Sequence, residues 1–122
     1  MTYTTLISTE DLARNLMNPV FVIFDVRFTL DDEFWGKNVY GESHIPGAIH
    51  ADVSEHLSGE IILGKTGRRP FPKAEDFAKQ LSKWGITPET QVICYDAESG
   101  LMAASRLWLM FRWMGHDQVA VL

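Results

Sequence analysis

A chain of 122 residues with 46% hydrophobic and 22% charged side chains suits one compact domain around a single core, which excludes the disordered and fibrous classes. Eleven basic against sixteen acidic residues leave a net charge of -5, which argues against electrostatic attraction to nucleic acid or to an anionic membrane surface. A single cysteine, Cys94, excludes an internal disulfide and a multi-cysteine metal site; His44, His50, His56 and His116 show no metal-ligand spacing, so no metal or cofactor is expected.

The first residues lack a basic segment followed by an apolar one, so no secretory signal is read and a cytoplasmic location is expected. Ser8 reads as an N-cap, Glu10 and Asp11 follow it, and Leu12, Leu16 and Met17 recur at helical spacing. This predicts a short helix stopped by Asn18 and Pro19. Residues 20–24 are a continuous apolar run ending at Asp25, as a strand buried on both faces requires. Residues 28–42 read as mixed, acidic and irregular, and Ile45-Pro46-Gly47-Ala48-Ile49 as a turn entering a short strand. Residues 54–72, with Gly59, Gly64, Gly67, Pro70 and Pro72, read as a long surface loop.

Phe77, Leu81 and Trp84 share one face of a helix over 73–84, and Gly85 stands where a left-handed cap belongs. Residues 91–95 form the next buried strand, 96–100 a tight polar loop, and 101–114 a helix apolar almost all round. Gly115 can cap that helix, and residues 119–122 start another strand. The apolar run 101–114 carries Arg106 and Arg112 and falls short of the roughly 20 residues that a membrane span needs. Either the domain's own elements cover this helix or a partner domain does. Strands alternating with helices predict an α/β domain with a mainly parallel central sheet flanked by helices. Because the sequence stops inside the last strand, residues 1–122 are expected to be one domain, truncated at its C-terminal end, of a longer polypeptide.

Ligands of parallel α/β folds bind beyond the C-terminal ends of the strands. The loop after residues 91–95 leads into a helix N-terminus, where backbone N–H groups and the helix dipole can hold an anion or lower a thiol pKa. No nucleophile opens that loop; Asp96 does. Cys94 lies inside the strand, where an apolar environment makes a thiol inert. A dual-specificity phosphatase would need an arginine where Gly100 stands, so that reading fails.

Several segments together resemble the rhodanese superfamily: Phe24-Asp25-Val26-Arg27, Ser43-His44-Ile45-Pro46-Gly47-Ala48, Arg68-Arg69-Pro70-Phe71-Pro72, Trp84-Gly85-Ile86, and residues 106–112 followed by Gly115-His116-Asp117. With the long interval 28–42, the set resembles the N-terminal domain of two-domain thiosulfate and 3-mercaptopyruvate sulfurtransferases and covers nearly the whole chain. The resemblance implies a rhodanese-like three-layer fold. It also implies a reaction in which a loop-opening cysteine takes sulfane sulfur as a persulfide and hands it to cyanide or a thiol. Asp96 would occupy the nucleophile's position, leaving Asp96-Ala97-Glu98-Ser99-Gly100-Leu101 an inactive loop and this domain alone inactive. The enzyme would be the full-length protein, with a second rhodanese domain of the same chain as partner and small anionic sulfur donors as substrates. Neither nucleic acid nor a membrane is an expected partner.

Arg27 and His44 are the substrate-cleft candidates. The competing structural readings are an Asp25–Arg27 ion pair, a His44 hydrogen bond fixing the Pro46-Gly47 turn, and helix capping by Asp96 and Ser99. Arg69 and Lys65 read as solvated loop charges or as attractors of anionic donors. Two functional alternatives remain open here: a rhodanese-like binding or regulatory module that uses the acidic loop, and an enzyme using Cys94 directly.

Overall fold

The computed structural model describes residues 2–67, 69–98, 100 and 103–122. Arg68 of the arginine-proline segment, Ser99 and Leu101 of the expected inactive loop, Met102 and Met1 lie outside the described residues. The elements follow in the order α1 (Thr9–Arg14), β1 (Phe21–Asp25), α2 (Trp35–Glu42), β2 (Ile49–His50), α3 (Ala74–Lys83), β3 (Gln91–Tyr95), α4 (Ala103–Trp113) and β4 (Val119–Val121).

The four strands form one parallel sheet in the order β2-β1-β3-β4. Alternation along the strands divides the core between the sheet's two faces. Phe24, Val92, Cys94, Val119 and Val121 pack with Phe77, Leu107, Met110 and Phe111, while Ile23, Ile93 and Ala120 pack with Ile7 and Leu12. Burial on both faces explains why β1 and β3 read as unbroken apolar runs. The register sets Phe24 beside Cys94 and Asp25 beside Tyr95, so the polar ends of the two central strands lie together at the sheet's C-terminal edge.

Three expectations need adjustment. The first helix stops at Arg14: the Asn15 side-chain amide bonds the Asp11 carbonyl at 2.8 Å, and the chain turns. Leu16 and Met17 therefore fall outside the helix, and Met17 is 94% exposed. The first strand lies one residue later than its apolar run, because Asp25 still pairs in register with His50 and Tyr95. The interval read as irregular contains α2, whose Gly36 passes so close to the Arg27 carbonyl that any Cβ there would collide with it. Two glycines depress helix propensity in that stretch, and the close approach to β1 compensates.

The chain itself covers most of α4. Ala104, Leu107, Met110 and Phe111 are buried; Trp108 donates from its indole nitrogen to the Thr4 carbonyl at 3.0 Å; Leu109 and Trp113 stay half exposed. Described residues of the 54–72 loop form no helix or strand. Arg106 of α4 fastens that loop, donating to the carbonyls of Leu57, Arg69 and Pro70 at 2.8–3.2 Å beneath the Phe71 ring.

At the start of this loop the Asp52 N–H donates to His56 Nδ1 at 2.9 Å, which requires a neutral His56. Burial pushes the His56 pKa below its ordinary value. The unfolded chain therefore takes up this proton more readily, so His56 contributes stability that is complete above its ordinary pKa and is lost as pH falls below it. Thermal unfolding followed by circular dichroism should show a lower Tm at pH 5.5 than at pH 7.5, and His56→Gln should shrink that difference.

Candidate functional site

At the end of β3 the chain turns at Asp96 into α4. The carboxylate points inward: Oδ1 accepts from the amides of Glu98 at 2.8 Å and Gly100 at 2.9 Å, and Oδ2 from Ala104 at 2.9 Å, in the first turn of α4. Gly100 has φ +81°, and a Cβ there would strike the Val121 side chain, so the turn needs glycine on both counts. Ser105 Oγ closes the turn on the Gly100 carbonyl. An anion at a helix N-terminus held by convergent backbone amides is a favourable electrostatic arrangement. Here the anion is part of the chain, and an external anion reaching these amides would have to displace it.

Two further features set the loop's chemistry. Glu98 is exposed at its rim and adds a negative charge that repels anionic ligands. Cys94, two residues before Asp96, is fully buried; burial, aided by the Asp96 charge, drives its thiol far above the ordinary range. Burial thus works against the thiolate that nucleophilic attack needs.

A second cluster joins the end of β1 to the His-Ile-Pro-Gly turn. Asp25 is wholly buried and accepts from Arg27 Nε at 3.0 Å and Nη2 at 2.7 Å, and from the Tyr95 hydroxyl at 2.9 Å. Arg27 Nη2 also donates to the Ser43 carbonyl at 2.5 Å, and Ile45 N–H donates to the Tyr95 hydroxyl at 3.2 Å. The network fastens the entry to the turn, at Ser43 and Ile45, to the ends of β1 and β3. Its hydrogen bonds to Asp25 raise the Arg27 pKa, and burial pushes the Tyr95 hydroxyl up to about 12, so the guanidinium is a permanent cation and the phenol stays neutral. The Asp25–Arg27 ion pair read from the sequence is thus present.

His44 does not hold the turn. Its Nδ1 lies 2.7 Å from the Tyr40 carbonyl and its ring stacks on Tyr40 at 3.9 Å, which fixes it to the end of α2. Gly47, at φ +80°, and the Ala48-to-Ile45 backbone bond of 2.9 Å form the turn instead. With Nδ1 donating to the carbonyl, His44 Nε2 is left as the outward nitrogen. Arg27 and His44, seventeen residues apart, line one shallow recess of about 310 Å³ with Ser43, Ile45 and Tyr95. Ala97 and Glu98 open on a separate groove, and Asp96 lines neither opening. Tyr95 was read only as a strand residue; a phenol ending an apolar strand beside the ligand-side loop was the available signal. Among the described residues no helix is long and apolar enough to cross a membrane, and no group of three His, Cys, Asp or Glu is placed to hold a metal ion.

A parallel α/β domain with its polar loops gathered at the C-terminal ends of the two central strands is of the class that binds ligands at that edge. The chain belongs to the rhodanese family: the model of the rhodanese-like domain matches residues 8–122. It is 39% identical over 115 residues to the protein of Pseudomonas aeruginosa named "Probable 3-mercaptopyruvate sulfurtransferase", covering 94% of this chain and 40% of that protein. It is 30% identical to the thiosulfate sulfurtransferase of Cricetulus griseus, covering 98% of this chain and 41% of that one. The 3-mercaptopyruvate sulfurtransferase from Leishmania major superimposes with a TM-score of 0.87 at 30% identity, over 97% of this chain and 32% of the other. The chain thus spans about two fifths of the length of these curated relatives.

Replacing Asp96 by alanine leaves the amides of Glu98, Gly100 and Ala104 without their acceptor and should cost about 1–2 kcal/mol, as loss of a helix cap does. Urea unfolding will measure it, with Asp96→Asn expected to lose less, because its remaining carbonyl oxygen still accepts from part of the amides.

Proposed function

We propose that this chain is the N-terminal, non-catalytic rhodanese domain of a two-domain cytoplasmic sulfurtransferase, and that it scaffolds a catalytic second domain and forms one wall of the substrate cleft. The observation that carries the reading is the inward Asp96 carboxylate, which occupies the amides of Glu98, Gly100 and Ala104; on this reading it stands where the nucleophile would. In the proposed reaction a cysteine thiolate of the second domain attacks the outer sulfur of thiosulfate and releases sulfite, or takes the sulfur of 3-mercaptopyruvate and releases pyruvate. Cyanide or a thiol then removes the sulfane sulfur from the persulfide and regenerates the thiolate.

On this side of the cleft, Arg27 contributes a fixed cation facing the anionic donors, and His44 an outward ring nitrogen that hydrogen-bonds them. Asp25 and Tyr95 act through Arg27 by holding it, and are positioning residues. Asp96 and Glu98 keep the donors away from the silent loop.

The test is cyanide-dependent thiocyanate formation with thiosulfate and with 3-mercaptopyruvate, run on residues 1–122 beside the full gene product. Activity only in the full product is expected. Turnover by residues 1–122 that disappears in Cys94→Ser would overturn the assignment; absence of turnover in both would leave a binding module as the better account. In the full product, His44→Ala should raise KM for the anionic donors several-fold with a smaller effect on kcat, the pattern of lost ground-state binding.

A further inference from the structure

The second opening at the C-terminal edge of the sheet has a chemistry that anionic donors do not match. It is a groove of about 530 Å³ between the segment leading into α2 and the turn after β3. Phe28, Leu30 and Trp35 supply its apolar floor, and Asp31, Asp32 and Glu98 its rim. Leu30, 71% exposed at the edge of the groove, and the exposed Phe34 outside it extend the apolar surface. Among the described residues no basic side chain lines it, and none of the three carboxylates forms an ion pair. Asp32 Oδ1 accepts from the Phe34 amide at 2.9 Å, which stiffens that side of the groove. Nearby, Arg69 places its guanidinium 5.2 Å over the Phe28 ring without pairing with the rim, so this aromatic already carries a cation on one face.

We propose that this groove is a docking site for a lysine- or arginine-bearing segment of a separate partner protein. The complementarity is two-fold. The aliphatic stem of a long basic side chain lies against Phe28 and Trp35 while its charged head meets the carboxylate rim. Neighbouring apolar residues of the segment cover Leu30 and Phe34, an area that a single small amine would leave bare. Opposite potentials also steer the encounter, making association faster at low salt.

The experiment uses residues 1–122 labelled with fluorotryptophan, with the Trp35 ¹⁹F resonance assigned by Trp35→Phe. An octa-arginine and an octa-lysine peptide are the probes, an octa-glutamate peptide and free arginine amide the controls. A saturable Trp35 shift with a basic peptide is expected, at least about tenfold weaker in Asp31→Asn/Glu98→Gln and in high salt. The charge-matched pair Glu75→Gln/Asp76→Asn, on the first turn of α3, should leave it unchanged; circular dichroism checks that every variant is folded. Any of four results overturns the proposal: no Trp35 response to either basic peptide, equal weakening by both variant pairs, an equal response to free arginine amide, or a full gene product whose Trp35 ignores the peptides because the groove is already filled from within.

Discussion

The Asp96 carboxylate in its cage of backbone amides is the interaction on which the functional end of this domain depends. It joins the end of the central strand to the first turn of α4, the helix that supplies Leu107, Met110 and Phe111 to the main core. A single side chain thus both closes a tight turn and caps a helix that packs on the sheet. The same geometry decides the chemistry: amides that would stabilise an external anion or a thiolate are committed to an internal one. On the proposed function, architecture and catalytic silence come from one residue.

The Asp25, Arg27 and Tyr95 network does the matching work on the neighbouring strand. Parallel register brings Asp25 and Tyr95 side by side, and their shared hydrogen bond leaves Arg27 held yet still partly open to solvent. A buried carboxylate is costly without partners, and here each partner also positions the His-Ile-Pro-Gly turn. The sheet edge is thereby divided into a cationic recess around Arg27 and an acidic groove beside Glu98.

Much of the fold was legible because its signals are local. Gln91–Tyr95 could be bounded to the residue from its apolar run and the polar loop after it, and Cys94 inside that run was correctly read as buried. The helix over 74–83 followed from Phe77, Leu81 and Trp84, with Gly85 at φ +77° closing it. What escaped depends on contacts that no spacing pattern shows. α2 has weak local signals and exists because Gly36 admits it against Arg27. Leu16 and Met17 kept a helical spacing that Asn15 had already ended. The site divides likewise: residue types at Asp96, Arg27 and His44 were visible in the sequence. The inward turn of the Asp96 carboxylate, the stacking of His44 on Tyr40 and the hydroxyl of Tyr95 required the assembled sheet.

The most direct test of the account is whether the loop amides are free to meet a sulfur donor. Backbone ¹H–¹⁵N resonances of Glu98, Gly100 and Ala104, followed through a thiosulfate titration of residues 1–122, report this without any need for turnover. With Asp96 in its cage these three signals stay unmoved. A saturable shift of all three in the unmodified chain would contradict the claim that the carboxylate has taken the donor's place.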